Sequence, residues 1–284
     1  FMSAIPVSGL LGGPFSGWIL SHFAAGQGGL AGWQWMFLLQ GIPTVLLGAL
    51  AIFLLSDSFA NAKWLSAHER AVLEADHRQD AANRPSTVSD SLLAVFKNPA
   101  IWAFGLIYFC IQSGVYAINF WLPSIIKNLG FSDALVIGWI SAIPYLLAVG
   151  FRLLWGGPAA LRKERRWHLV VPMLMGAIGL IIAVNFATQP AIAILGLTIA
   201  TMGALTGLPM FWPVPTALLS AGAAAGGLAL INSMGQMAGF LSPYLVGFVK
   251  DATGSTDVAL YMLAAVIVGG SLLALRMTRG MTNA

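Results

Sequence analysis

Apolar residues in this chain come in long runs that are separated by polar connections. Eight runs are long enough to cross about 30 Å of hydrocarbon, which takes around 20 apolar residues in a helix. They predict membrane-spanning helices over 4–23, 34–55, 101–125, 135–155, 169–187, 191–213, 223–249 and 258–276. The connections are short except for residues 56–100. The predicted fold class is therefore all-α, a polytopic bundle of membrane helices.

Composition supports a lipid environment. Hydrophobic residues make up 58% of the chain and charged residues 8%, whereas a soluble domain has about 25% charged residues. The isoelectric point near 9.5 comes from basic residues between the spans, so no nucleic-acid partner is predicted. Cys110 is the single cysteine, which excludes an internal disulfide and a cysteine metal cluster.

The basic residues predict the direction of the spans, because Lys and Arg concentrate on the cytoplasmic side of a membrane. The alternation of spans puts only Lys127 and Lys250 on one side. Twelve basic residues fall on the other side, which we predict to be cytoplasmic together with both chain ends: Lys63, Arg70, Arg78, Arg84, Lys97, Arg152, Arg162, Lys163, Arg165, Arg166, Arg276 and Arg279.

The long connection contains a helix signal. Ser66 and Glu69 stand at capping-box spacing, which predicts a short cytoplasmic helix in "SAHERAVLEADHRQ". Residues 91–99, "SLLAVFKNP", predict an interfacial lead-in to the next span. The connection is interpreted as a tether between two groups of helices, with a regulatory docking site as the alternative.

Neutral polar residues enter the predicted spans, whereas all acidic residues and histidines fall in loops or at span edges. Tyr108, Gln112, Tyr116 and Asn119 follow steps of four, four and three, which places them on one face of the third span. Such a stripe needs polar partners inside the membrane. It is either the wall of a hydrated cavity or a row of interhelical hydrogen bonds.

Two later spans carry further candidates. In the seventh span, Asn232 and Gln236 are four residues apart, near Gly235 and Gly239, which permit close helix contact. Each amide is either a ligand contact or a link between helices. The sixth span ends in "GLPMFWPVPT", whose prolines must bend or break the helix beside Phe211 and Trp212. These rings either face substrate at a broken helix or form an aromatic belt.

The first span, "PVSGLLGGPFSGWIL", carries Gly9, Gly13, Pro14 and Gly17. We predict that these small residues leave a groove for close approach of another helix. The span and its successor also echo the end of the chain, since "GGPFSG" and "LSPYLVG" both place a proline in a glycine-bearing span. Residues 4–55 are therefore predicted to repeat residues 223–276.

The motifs together resemble the major facilitator superfamily, and specifically its anion:cation symporter branch. The resemblance rests on G-x-x-x-G-P-x-x-G in the first span and on "GWQWMFLLQGIP", "FWLPSIIKNLGFS", "ISAIPYLLAV", "RKERRWH", "FWPVPT" and "ALINSMGQMAGFLSPYLVGFVKDATGS". It implies eight of twelve helices. Residues 1–55 would be the last two helices of the N-terminal half, residues 56–100 the central loop and residues 101–284 the C-terminal half, with four helices preceding.

The resemblance also implies a function. It points to a permease of the bacterial inner membrane that takes up a small organic anion such as tartrate, a sugar acid or an aromatic carboxylate. Such a permease works by alternating access as a monomer, with the proton as coupling ion and no cofactor or metal. The alternative is a non-transporting truncated remnant or fragment, which the DNA upstream of Phe1 would distinguish. An enzyme is not predicted, because the chain shows no nucleophile elbow, phosphate loop or metal-ligand cluster.

Carried over by position, the resemblance implies that substrate contacts Gln112 and Tyr116 on the family's seventh helix, Phe211 and Trp212 on its tenth and Asn232 on its eleventh. Asn119 and Gln236 join them from the polar-face argument. The chain departs from the family at Gln34, Gln40 and Ala160, where the family usually has an arginine, an acid and an acid.

Overall fold

The structure is a computed structural model that describes residues 2–83, 96–162, 165–218 and 221–278, and regular structure in these ranges is helical. Two single 3-10 turns, Gln27–Gly29 and Phe59–Asn61, lie between the first helices. The α-helices are α1 Ala4–His22, α2 Gly32–Leu54, α3 Ala67–Asn83, α4 Pro99–Asn128, α5 Ala134–Arg162, α6 Arg166–Asn185, α7 Pro190–Phe211, α8 Pro213–Leu218, α9 Ala221–Gln236, α10 Ala238–Thr253 and α11 Asp257–Met277.

The predicted spans coincide with these helices, which confirms the all-α membrane bundle. Six helices in the described part of the chain are long and apolar enough to cross a membrane: α2, α4, α5 as far as Gly157, α6, α7 with α8, and α11. The predicted span 4–23 is α1. The predicted span 223–249 is divided between α9 and α10 at a turn at Met237.

The capping-box prediction for the long connection is confirmed. The backbone N–H of Ser66 donates to a carboxylate oxygen of Glu69 at 2.9 Å, and the N–H of Glu69 donates to the Ser66 hydroxyl at 3.3 Å. These bonds satisfy two of the free N–H groups at the start of α3. Residues 91–95 of the predicted interfacial segment lie outside the described residues, as do Arg84, Lys163 and Arg279.

Helix α4 lies at the centre of the bundle. It contacts α5, α7, α9, α10 and α11, and its buried residues are distributed around the helix. Helices α6 and α7 pack against each other through glycines. A Cβ at Gly196 would lie 2.6 Å from the backbone nitrogen of Ala183, so only glycine allows this close approach.

The glycine groove predicted for α1 exists, and α5 fills it. A Cβ at Gly17 would lie 2.5 Å from the carbonyl oxygen of Ala134, and one at Gly13 would lie 2.9 Å from that of Gly138. Farther along, the ring of Tyr145 covers Gly9. Helix α2 contacts α1 and has no buried residue.

The structure overturns one assignment. Arg152 was predicted to lie with the loop residues that follow the fourth span, but α5 continues as an apolar span to Gly157 and contains Arg152. The side chain of Arg152 is buried. The assignment of Arg152 to a loop is therefore wrong. It also disagreed with the predicted span 135–155, which ends three residues after Arg152.

Candidate functional site

The polar stripe of α4 faces the interior at three levels. Its residues from Tyr108 to Asn119 extend about 16 Å along the helix axis. Tyr108 and Gln112 are buried, Tyr116 is half-buried and Asn119 is exposed. The stripe therefore runs from the core of the bundle to an accessible surface.

An aromatic cluster surrounds Tyr108 at the first level. The ring of Phe211 stacks on it with 5.0 Å between centroids, and Trp212 meets it edge-on at 4.8 Å. The predicted helix break follows Phe211, since α7 ends there and α8 begins at Pro213. The break presents Trp212 beside the stripe, with Phe211 fully buried beneath it.

Gln112 occupies the second level, halfway along α4. Its side chain is 5% exposed, and its Oε1 atom is buried without a hydrogen-bond partner among the described residues. A buried carbonyl oxygen without a partner costs about 1–3 kcal/mol. This oxygen is therefore available to a donor from a ligand or a water molecule.

The third level links α4 to α9 and α10. The Tyr116 hydroxyl donates to Oε1 of Gln236, and the Gln236 amide lies 3.5 Å from Oδ1 of Asn232. Gly235 and Gly239 lie under the rings of Tyr108 and Tyr116 respectively, which is the close contact predicted for this glycine pair. Asn232 and Gln236 are both exposed.

Asn119 belongs to a separate cavity. Its Oδ1 atom accepts a hydrogen bond from the Tyr145 hydroxyl of α5 at 2.8 Å. Both residues line a cavity of about 420 Å³ between α1, α4 and α5, together with Ser124, Lys127 and the buried Ser141. Tyr145 and Ser141, four residues apart on α5, were missed by the sequence argument because a lone hydroxyl in an apolar run gives only a weak signal.

The two interpretations of the stripe therefore apply to different residues. Tyr116 and Asn119 make interhelical hydrogen bonds, while Oε1 of Gln112 has no partner among the described residues and Tyr108 forms an aromatic cluster. The structure brings Gln112, Phe211 and Trp212 to one region around α4, and Tyr116, Asn232 and Gln236 to the next. Among the described residues, no three His, Cys, Asp or Glu side chains are grouped as metal ligands would be.

Glutamines stand at two of the three departures from the family pattern, and both form local bonds. Oε1 of Gln34 accepts from the N–H of Ala31 at 2.8 Å and thereby caps α2. The Gln40 amide donates to the Ser16 hydroxyl at 2.8 Å and links α2 to α1. Both glutamines therefore form hydrogen bonds between uncharged groups.

The sequence model of the Major Facilitator Superfamily matches residues 1–243. The chain belongs to this superfamily. It is 38% identical over 283 residues to the "Putative metabolite transport protein NicT" of Pseudomonas putida, and 38% identical over 284 residues to a "Putative tartrate transporter" of Agrobacterium vitis. The "Inner membrane transport protein RhmT" of Escherichia coli is 32% identical over 274 residues.

These alignments cover 100%, 100% and 96% of this chain, but 64%, 62% and 62% of the respective relatives. The chain therefore spans less than two thirds of their length. The predicted superfamily is confirmed, and a multi-pass membrane protein follows from it and from the apolar helices. The relatives carry the names of transport proteins and not of enzymes.

Proposed function

We propose that this chain forms part of a secondary transporter that takes up a small organic anion across the bacterial inner membrane. The observation that carries the proposal is the unpaired Gln112 oxygen halfway along the central membrane helix, next to the Tyr108–Phe211–Trp212 cluster. An intramembrane polar group without a partner is costly unless it serves a ligand or a water-filled path. The relatives named for tartrate and metabolite transport support an organic acid as cargo.

In this proposal the substrate contacts Gln112, Trp212 and Asn232. Gln112 accepts a hydrogen bond from a substrate hydroxyl, and Trp212 covers one side of the carbon chain. Tyr116 and Gln236 position Asn232, since the three side chains form one hydrogen-bonded row. Asn119 stays bonded to Tyr145 and contributes to the wall of the neighbouring cavity.

The seam between α1 and α5 supports the proposal of alternating access. We assign α1 and α2 to one half of the transporter and α4 to α11 to the other, with residues 56–100 between them on the cytoplasmic side. The seam has backbone against backbone at Gly13 and Gly17, so few side chains would have to disengage when the halves rock. The coupling proton would be carried by an acid elsewhere in the transporter, because the membrane-spanning helices in the described residues hold no Asp or Glu between their ends.

The test is uptake by the transporter that contains this chain, purified and reconstituted in liposomes with a proton gradient. We expect accumulation of a radiolabelled acid from a panel of tartrate, sugar acids and aromatic carboxylates. Trp212→Ala should reduce kcat/KM about tenfold or more, as loss of an aromatic anchor does, and Gln112→Ala about two- to tenfold.

Matched controls are Trp139→Ala, a tryptophan that is 61% exposed on α5, and Gln79→Ala on α3. Both controls should retain uptake. Flat traces for the whole panel would contradict the proposed function, and normal uptake by both site variants would remove Gln112 and Trp212 from the site.

A further inference from the structure

Arg152 is a buried cation inside a membrane-spanning helix. Its side chain is 6% exposed, whereas the next two residues, Leu153 and Leu154, are 63% and 77% exposed. Arg152 therefore points into the bundle and does not reach out along its surface. Its Nη1 atom is buried without a hydrogen-bond partner among the described residues.

Thr206 on α7 is a second buried group without a partner. Thr198 and Thr201 on the same helix donate their hydroxyls to backbone carbonyls one turn earlier, at 2.8 and 2.7 Å. Thr206 is fully buried, yet its Oγ1 atom makes no such bond. Its hydroxyl is therefore free for another partner.

The two groups belong to helices that contact each other, and helix geometry indicates a similar depth for both. A Cβ at Gly156 of α5 would be 3.7 Å from the terminal methyl of Met210 of α7. Helices α5 and α7 are separated by the single span α6, so they run in the same direction. Arg152 and Thr206 each lie four residues before a member of this contact. Each therefore lies on the same helix face as Gly156 or Met210, one turn further from the end of the span.

A buried guanidinium in this position would be stabilised by an anionic partner. Burial of an unpaired charge costs several kcal/mol, and ionisable residues within membrane helices mark substrate or ion pathways. The described membrane-spanning segments hold no Asp or Glu between their ends that could pair with it. A carboxylate fits the pair, because it accepts charge-assisted bonds from arginine and has further lone pairs for a hydroxyl donor.

We propose that Arg152 and Thr206 form a carboxylate-binding site between α5 and α7. This inference rests on the proposed function where the carboxylate is that of the transported acid. The other source of the same chemistry is an acidic side chain from another part of the transporter. The site lies about 8 Å inside the end of the span at Gly157, separate from Gln112 and Trp212.

The experiment compares Arg152→Gln, Arg152→Lys and Thr206→Val in the whole transporter. Arg276→Gln is the control, since Arg276 is an exposed arginine in the last turn of α11. Two quantities are measured: the unfolding temperature without added acid, and the tartrate, gluconate and benzoate concentrations that give half-maximal uptake.

If the carboxylate is the transported acid, Arg152→Gln raises the half-saturating concentration about 10- to 100-fold and Thr206→Val about two- to tenfold. The unfolding temperature without acid then stays constant or rises, because an unpaired buried charge is removed. If the carboxylate is a side chain of the transporter, Arg152→Gln lowers the unfolding temperature and Arg152→Lys restores part of it.

An Arg152→Gln protein that matches Arg276→Gln in both measurements overturns the site. If the unmodified transporter takes up none of the three acids, the proposed function fails for them, and the unfolding temperature alone decides the site. If Arg152→Gln lowers the unfolding temperature and Arg152→Lys restores part of it, the site is supported. Any other result for the unfolding temperature overturns the site.

Discussion

Individual glycines in this bundle differ in how closely another helix packs against them, although the sequence does not distinguish them. Gly12 and Gly17 belong to the same helix, α1, and both have ordinary helical backbone. Nothing lies within 4 Å of a Cβ at Gly12, whereas one at Gly17 would be 2.5 Å from the carbonyl oxygen of Ala134. The pair therefore separates helix propensity from helix packing.

We expect Gly17→Ala to lower the free energy of unfolding by roughly 1–3 kcal/mol, because the added methyl forces α1 away from α5. Gly12→Ala should be neutral or stabilising by up to about 1 kcal/mol, the gain in helix propensity. Thermal unfolding of the purified transporter in detergent measures both. Equal effects of the two substitutions would show that the close seam is not present.

Among single helices, α3 has a start that is determined by local sequence. Ser66 and Glu69 exchange hydrogen bonds within four residues, and Glu74 pairs with Arg78 one turn further at 3.5 Å. The bonds from the Ser66 backbone and hydroxyl lower the pKa of Glu69 below its ordinary value of 4.5. A carboxyl whose pKa is lowered in the helix stabilises that helix above its unfolded pKa, and the stabilisation is lost as the pH falls through the folded pKa.

A peptide of residues 61–83 should therefore lose helix content as the pH falls from 6 to 3, measured by circular dichroism. A Glu69→Gln peptide should lose less over the same range, because its cap no longer titrates, while Glu74, Asp76 and Asp80 still do. Identical titration curves for the two peptides would exclude the capping contribution of Glu69.

In contrast, the packing partners of the longer helices depend on distant parts of the chain. The single span predicted over 223–249 is interrupted at Met237, between α9 and α10, but the backbone there keeps helical angles (φ −58°, ψ −28°). Here two tyrosine rings of α4 press on Gly235 and Gly239, and this contact depends on a helix more than a hundred residues away. The helix propensity of the segment therefore could not predict this contact.

At the scale of the whole molecule, the direction of the spans is the central prediction. Lys127 lies in the last turn of α4 and is exposed, whereas Lys250 lies over the ring of Trp121 at 5.2 Å. The native cysteine, Cys110, is buried and should not react with reagents in solution. Single introduced cysteines can therefore report the side of the membrane on which each end lies.

We expect Lys127→Cys in intact cells to react with a membrane-impermeant maleimide. Arg276→Cys, at the opposite end of the bundle, should react only after the membrane is permeabilised, because basic residues stay on the cytoplasmic side. The reverse pattern would contradict the predicted orientation and would place residues 56–100 outside the cell.

The sequence by itself determined the spans, the polar stripe of α4, the helix break at Trp212 and the cap of α3. Each depends on residues within a few turns, because transfer into lipid, helix periodicity and capping are local properties. Only the tertiary structure decided that Tyr116 bonds to Gln236, 120 residues away, that α5 fills the groove of α1, and that Arg152 lies inside. These depend on which helices meet, and burial and hydrogen bonding are settled by the packing partner rather than by the segment.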